Sequence, residues 1–111
     1  KLMPDLPGVR SSYQYFAIRI DKEEFGRSRD YVYEELKKYN VFTRKYFHPL
    51  CSNFECYKHL PSADPMNLPV ANRVGNGVLS MPFYGGLSEE DTIKICDIIS
   101  AIQRNFEDSK S

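Results

Sequence analysis

Residues 43–50 read Thr-Arg-Lys-Tyr-Phe-His-Pro-Leu, and the rest of the chain can be arranged around this segment. Two cations, two aromatic rings and an imidazole follow one another within it. A half-buried strand normally alternates apolar and polar residues, and this segment barely does. Pro49 favours extended backbone at His48 and ends any helix there. We predict a short strand that carries polar groups to the rim of a pocket. A charged edge strand, protected against edge pairing, is the alternative.

The bulk composition indicates one globular domain. The chain has 111 residues, of which 41% are hydrophobic and 27% charged. Its 15 basic and 15 acidic residues cancel, which argues against a general nucleic-acid binder because such proteins carry a basic excess. No apolar run approaches the roughly 20 residues that span a bilayer, so no membrane partner is expected. The three cysteines, an odd number, do not suggest a disulfide framework, and we expect a cytoplasmic protein.

The first half of the chain shows a strand, a helix and a second strand. Residues 13–21 alternate as a strand does, and residues 21–27 form a polar turn. Ser28 can cap a helix that Asn40 ends in left-handed backbone. A second strand is predicted over residues 41–47. The apolar face predicted for the helix consists of Val32, Leu36 and Tyr39.

The second half repeats the order helix, strand, helix. A loop of about 20 residues, 48–67, leads to a helix that begins at Pro69. A strand follows over residues 79–81, and Ser88 can cap the last helix. The apolar face of that helix consists of Ile95, Ile98, Ile99, Ile102 and Phe106. This order predicts an α+β fold: a small two-layer sandwich whose three-stranded, mostly antiparallel sheet has helices packed on one face.

The histidines and cysteines leave a metal site open as an alternative. His48, Cys51, Cys56 and His59 form the pattern His-x2-Cys-x4-Cys-x2-His, whose ligand types suit zinc. The spacing is not that of zinc fingers or ribbons, so a small zinc-binding module ranks below the main interpretation. Nothing singles out a cysteine as a nucleophile. Cys96 lies beside the apolar face of the last helix, where we expect a buried, inert thiol.

Five runs of sequence, in the same order, resemble the C-terminal domain of DegT-type nucleotide-sugar aminotransferases. The resemblance covers roughly residues 6–106 and is strongest to the branch that forms dTDP-4-amino-4,6-dideoxyglucose. The runs that carry the resemblance are residues 13–16 (Tyr-Gln-Tyr-Phe), residues 40–50 (Asn-Val-Phe-Thr-Arg-Lys-Tyr-Phe-His-Pro-Leu), Tyr57, residues 68–74 (Leu-Pro-Val-Ala-Asn-Arg-Val) and residues 78–88 (Val-Leu-Ser-Met-Pro-Phe-Tyr-Gly-Gly-Leu-Ser).

The resemblance implies a homodimeric, pyridoxal phosphate-dependent enzyme. Such an enzyme moves an amino group from glutamate to a keto-deoxysugar nucleotide of the dTDP-4-keto-6-deoxyglucose type. The resemblance places the Schiff-base lysine in an N-terminal domain that this sequence lacks. Residues 1–12 are then a linker from that missing domain, residues 13–106 the C-terminal small domain, and residues 107–111 a polar tail. We expect no catalytic, cofactor-binding or metal-binding residue here, and no activity from the fragment alone.

The same resemblance places residues 43–50 beside the nucleotide-sugar site. It implies that Arg44, Tyr46, Phe47 and His48 contact the substrate, with Tyr57 as a further candidate. Arg44 could face the diphosphate, because its guanidinium suits bidentate contact with phosphate. Tyr46 could form a hydrogen bond with the sugar or stack on it. A stand-alone, non-catalytic binding module is the alternative function.

Overall fold

Three antiparallel strands form the sheet in the computed structural model, which describes the backbone of residues 1–108 and the side chains of residues 1–105. The strands are β1 (Phe16–Arg19), β2 (Arg44–Lys45) and β3 (Val78–Met81), in the order β1–β3–β2. All four residues of β1 pair with β3, whereas β2 pairs with it only through Arg44↔Ser80 and Lys45↔Leu79. A strand lies within each predicted range or overlaps it, but β1 has four residues and not the nine of residues 13–21, and β2 has two and not the seven of residues 41–47.

Four α-helices accompany the sheet. They are α1 (Lys22–Phe25), α2 (Arg29–Lys38), α3 (Pro69–Gly77) and α4 (Glu89–Asp108). The prediction of a plain turn over residues 21–27 was wrong, because α1 lies within it. The Asp21 carboxylate accepts a hydrogen bond from the Glu23 amide, and Gly26 ends the helix with a φ of 86°.

Helix α2 begins and ends where the sequence predicts. The Ser28 hydroxyl accepts a hydrogen bond from the Tyr31 amide at 3.2 Å, and Asn40 has a φ of 60°. Val32 and Leu36 are fully buried. Tyr39 is exposed, contrary to the prediction, because the helix ends at Lys38 and Tyr39 is the cap residue beyond its last turn.

Helices α2 and α4 cover one face of the sheet, which we call the covered face. Its core consists of Ile20, Val32, Leu36, Leu79, Met81 and Ile102, with Ile18, Ile95, Ile98 and Ile99 packed against it. Helix α4 begins as predicted, with the Ser88 hydroxyl accepting a hydrogen bond from the Asp91 amide at 3.0 Å. This arrangement confirms the α+β fold, with an antiparallel sheet and helices on one face.

Helix α3 leads directly into the central strand. Pro69 occupies its first turn, as predicted. Val78 begins β3 and so does not share a helical face with Val74. The Ile20 amide donates a hydrogen bond to the Gly77 carbonyl at 2.8 Å. A Cβ atom at Gly77 would lie 2.7 Å from the Ile20 carbonyl oxygen, so this close approach requires glycine.

The long loop and helix α4 each show a feature that the sequence did not predict. Three 3₁₀ turns, Cys51–Asn53, Pro61–Ala63 and Pro65–Asn67, order the loop of residues 48–67. Cys96 is exposed, contrary to the expectation of a buried thiol, because it lines an open cavity between α4 and β1.

The ends of the chain differ in how far they are described. Leu2 makes an isolated antiparallel bridge with Ile18, at the edge of β1. Helix α4 runs to Asp108, so the first two residues of the predicted polar tail are helical, while residues 109–111 and the side chain of Phe106 lie outside the described part. None of the described helices has the length and apolar character to cross a bilayer.

Candidate functional site

The second face of the sheet carries Ala17, Arg44 and Ser80, and we call it the open face. Strand alternation places these residues opposite the core, because Ala17 and Arg44 both pair with Ser80 of β3. Neither α2 nor α4 covers this face, and two cavities are lined by its residues. The open face therefore has room for a ligand.

Arg44 lines the smaller cavity, of about 240 Å³. Its walls also include Gln14, Tyr15, Phe42, Ser80 and Phe83. Of the side chains that the structure describes, no carboxylate lines this cavity. An exposed guanidinium among aromatic rings, with no counter-ion among the described side chains, is suited to an anion from outside the chain, and its planar fork favours a phosphate or a carboxylate.

Tyr46 and Phe47 form an aromatic row with Tyr15. The rings of Tyr46 and Phe47 stack with their centroids 4.0 Å apart, and the rings of Tyr15 and Tyr46 are tilted at 5.0 Å. Partial desolvation raises the pKa of Tyr46 above its ordinary value, and the neighbouring Tyr15 adds to the effect. A tyrosine is protonated at neutral pH even at its ordinary pKa, so the Tyr46 hydroxyl can donate a hydrogen bond.

The larger cavity of the open face has a volume of about 590 Å³. Tyr46 and Phe47 form one wall, and Ala17 of β1 also lines it. Further lining residues come from the loop and from α3, including Leu50 and Val74. Most of this lining is apolar, which suits the face of a sugar or a base, but Lys1 and Arg19 also line the cavity and bring positive charge to it.

His48 and Tyr57 line other cavities. His48 lies with Arg73 and Asn76 in a polar cavity near the start of α2, and Tyr57 lies with Cys51 and others in a small cavity of the loop. Arg44 lines one cavity of the open face, and Tyr46 and Phe47 line the other. Tyr15 connects the two, because it lines the Arg44 cavity and its ring centroid lies 5.0 Å from that of Tyr46. His48 and Tyr57 line neither of these cavities. Strand β2 ends at Lys45, so alternation no longer fixes where the later side chains lie.

Sequence reasoning missed Tyr15, Phe42 and Phe83 as neighbours of Arg44. Alternation in the first strand had placed Tyr15 on the face opposite Phe16, so part of the signal was present. The missing information was the strand order. With β3 in the centre, the residues before β1, before β2 and after β3 meet at one end of the sheet.

The zinc alternative finds no support in this arrangement. His48 and Cys51 line different cavities, and Cys51 and Cys56 are exposed. Among the side chains of residues 1–105, no group of three or more histidine, cysteine or acidic residues could hold a metal ion.

The sequence and the fold match a known family of enzymes. Residues 2–100 match the DegT/DnrJ/EryC1/StrS aminotransferase family, and the chain belongs to that family. The fold of this chain also resembles part of a solved structure, a DegT DnrJ EryC1 StrS aminotransferase from Brucella abortus, with a TM-score of 0.75 at 24% identity. That match covers 93% of this chain and 26% of the Brucella chain.

Two relatives of known name have sequences similar to this chain. The chain is 46% identical over 98 residues to a dTDP-4-amino-4,6-dideoxy-D-glucose transaminase of Escherichia coli, covering 88% of this chain and 26% of that protein. It is 30% identical over 80 residues to a transaminase of the same name from Shigella dysenteriae, covering 72% of this chain and 21% of the relative. The chain therefore spans about a quarter of the length of the relatives that it matches.

Proposed function

We propose that this chain is part of an aminotransferase that moves an amino group from glutamate to a keto-deoxysugar nucleotide of the dTDP-4-keto-6-deoxyglucose type. The open face then forms one wall of the nucleotide-sugar site. The observation that carries the proposal is Arg44, whose cavity is lined by aromatic rings and by no described carboxylate. The names of the two transaminase relatives support this class of substrate.

Arg44 and the three residues of the aromatic row have separate roles in this proposal. Arg44 binds the diphosphate through charge-assisted hydrogen bonds. The Tyr46 hydroxyl, which is protonated at neutral pH, donates a hydrogen bond to the sugar. Tyr15 and Phe47 offer half-exposed or exposed rings on which a sugar or base can stack. His48 and Tyr57 remain candidate contacts, which would need a ligand that extends beyond the two cavities of the open face.

Pyridoxal phosphate is the cofactor that the family implies, and neither Lys45 nor Lys58, the lysines of the candidate segment and the loop after it, is free to attach it. Its attachment needs a lysine amine that is free to form a Schiff base. The amine of Lys45 lies 2.7 Å from the Asp30 carboxylate, and that of Lys58 lies 2.7 Å from the Glu55 carboxylate. We propose that parts of the enzyme outside this chain hold the cofactor, and we assign no step through it to these residues.

The remaining features of the enzyme follow the family. We propose that the intact enzyme is a homodimer located in the cytoplasm. We propose further that this chain serves it in substrate binding, with the reacting atoms placed elsewhere.

The proposal is tested by substituting Arg44 in the full-length protein that the gene encodes. With glutamate and the keto-sugar nucleotide as substrates, Arg44→Ala should raise the KM for the nucleotide about tenfold to a hundredfold, the effect of losing charge-assisted hydrogen bonds. Arg104→Ala is the matched control, because Arg104 is an exposed arginine on α4. An equal change of KM in both variants would show that Arg44 does not bind the nucleotide. Nucleotide binding without amino transfer would favour the non-catalytic module.

A further inference from the structure

Arg29, the first residue of α2, is a buried cation that joins three elements. Only 3% of its surface is exposed. Its guanidinium donates hydrogen bonds to the carbonyl oxygens of Gly75 at 3.0 Å and Val78 at 2.9 Å, and its Nε donates to Asp30 Oδ1 at 2.8 Å. These contacts fix the start of α2 against the junction between α3 and β3.

Asp30 extends this connection to β2. The same Oδ1 atom that accepts from Arg29 lies 2.7 Å from the Lys45 amine. The hydrogen bond from Lys45 is the largest cause of a lowered pKa at Asp30, and Arg29 lowers the pKa further. The Lys45 amine also lies 4.8 Å from the centre of the Tyr33 ring, so a second residue of α2 holds it.

Strand β2 needs such an anchor because its own pairing is minimal. It has two residues, it pairs only with β3, and its other edge is unpaired by any strand of the described part. Alternation sends Lys45 to the covered face and Arg44 to the open face, since their partners are Leu79 and Ser80. The position of Arg44 therefore depends on how firmly Lys45 is held.

We propose that Asp30 is a positioning residue: by holding Lys45 from the covered face, it fixes β2 so that Arg44 and Tyr46 are presented on the open face. The part of this inference that concerns ligand binding rests on the function proposed above. The anchoring of β2 does not, because it can be measured without a ligand.

A purely structural ion pair would behave differently from a positioning residue. The Asp30 side chain is 61% exposed, and ion pairs that reach solvent contribute little to overall stability. Removing the carboxylate should thus leave the overall stability nearly unchanged, while local opening of β2 becomes more frequent.

The test compares Asp30→Asn, Asp30→Glu and Glu34→Gln in the full-length protein. Glu34→Gln is the matched control, because it removes another α2 carboxylate whose partner, Lys37, lies on the same helix. Hydrogen exchange without ligand should show the amides of residues 44–47 exchanging about fivefold faster in Asp30→Asn, and unchanged in the control. Asp30→Glu should recover part of the protection, since it keeps the charge.

Titration with thymidine diphosphate completes the experiment. Asp30→Asn should weaken binding about fivefold, and Glu34→Gln by less than about twofold. Unchanged exchange over residues 44–47 in Asp30→Asn would overturn the anchoring of β2. Faster exchange with unchanged affinity would overturn its link to the ligand. If wild-type protein bound no nucleotide, the proposed function would fail while the exchange data still decided the anchoring of β2.

Discussion

The covered and open faces of the sheet differ in how far their side chains are buried. On the covered face, Leu79 meets Val32 and Leu36, and all three side chains are fully buried. On the open face, Tyr15 and Phe47 stay 54% and 67% exposed beside an arginine that no described carboxylate neutralises. The first face supplies the stability of the domain, since buried apolar area is the main favourable term in folding.

The comparison indicates that the exposed aromatic rings of the open face serve a purpose other than packing. A small domain leaves apolar atoms on its surface in any case, but here three rings and a cation gather at one place. Substitutions on the two faces should therefore affect different measurements: unfolding for the covered face, and ligand affinity for the open face.

The largest expected effect is on the covered face. Leu79→Ala should lower the free energy of unfolding by about 3 kcal/mol, because it leaves a cavity in a close-packed core. Phe47→Ala, on the open face, should lower it by less than about 1 kcal/mol. Urea denaturation followed by circular dichroism measures both. Equal losses in the two variants would break the distinction between the faces.

Two glycines of α3 sharpen the comparison at its boundary. At Gly77 a Cβ atom would meet the Ile20 carbonyl oxygen at 2.7 Å, so Gly77→Ala should cost about 1–3 kcal/mol of unfolding free energy. At Gly75 the nearest atom is the Leu50 Cδ2 at 2.9 Å, the end of a flexible side chain. Gly75→Ala should be within about 1 kcal/mol of neutral, because helix propensity offsets the crowding. Thermal unfolding of both variants checks this order, and the reverse order would contradict the packing described for α3.

On the open face, Tyr15 should affect affinity more than stability. Tyr15→Ala should weaken binding of the nucleotide sugar about three- to tenfold, as expected for the loss of one aromatic contact. Tyr15→Phe keeps the ring and should stay within about twofold of wild type. Tyr39→Ala removes an exposed tyrosine at the end of α2 and serves as the control. Calorimetric titration of the full-length protein gives the three values, and equal weakening by Tyr15→Ala and Tyr39→Ala would argue against a contact.

The smallest expected effect is a pH dependence that belongs to Asp30. Its pKa in the folded state lies below the ordinary value of 3.8, so the ionised carboxylate stabilises the fold above about pH 4. This contribution is lost as the pH falls through the lowered pKa. Because the side chain is 61% exposed, the contribution should be below about 1 kcal/mol. Unfolding free energies of wild type and Asp30→Asn should differ slightly at pH 7 and converge at low pH; a difference that grew on acidification would contradict the ion pair.

Much of the covered face could be predicted from the sequence. Helical spacing identified Val32 and Leu36, alternation identified Ile18 and Ile20, and capping residues marked the starts of α2 and α4. These signals are local, so a single sequence carries them.

The open face could be predicted only in part, because it depends on strand order and on where chain segments turn. The segment around Arg44 was identified, but its length as a strand was overestimated, since pairing with β3 ends at Lys45. Cys96 was expected to be buried but lines an open cavity and is exposed, and Asp30 was not noticed. Its partners Arg29 and Lys45 lie next to it and 15 positions away, and no periodicity links the latter pair.

Hydrogen exchange of the full-length protein, with and without thymidine diphosphate, tests the central claim most directly. We expect the nucleotide to slow exchange in peptides that cover residues 13–16 and 42–47, and to leave the peptide covering residues 32–36 of α2 unchanged. Protection confined to other parts of the protein, with no change over residues 13–16 and 42–47, would show that the open face is not a wall of the nucleotide-sugar site.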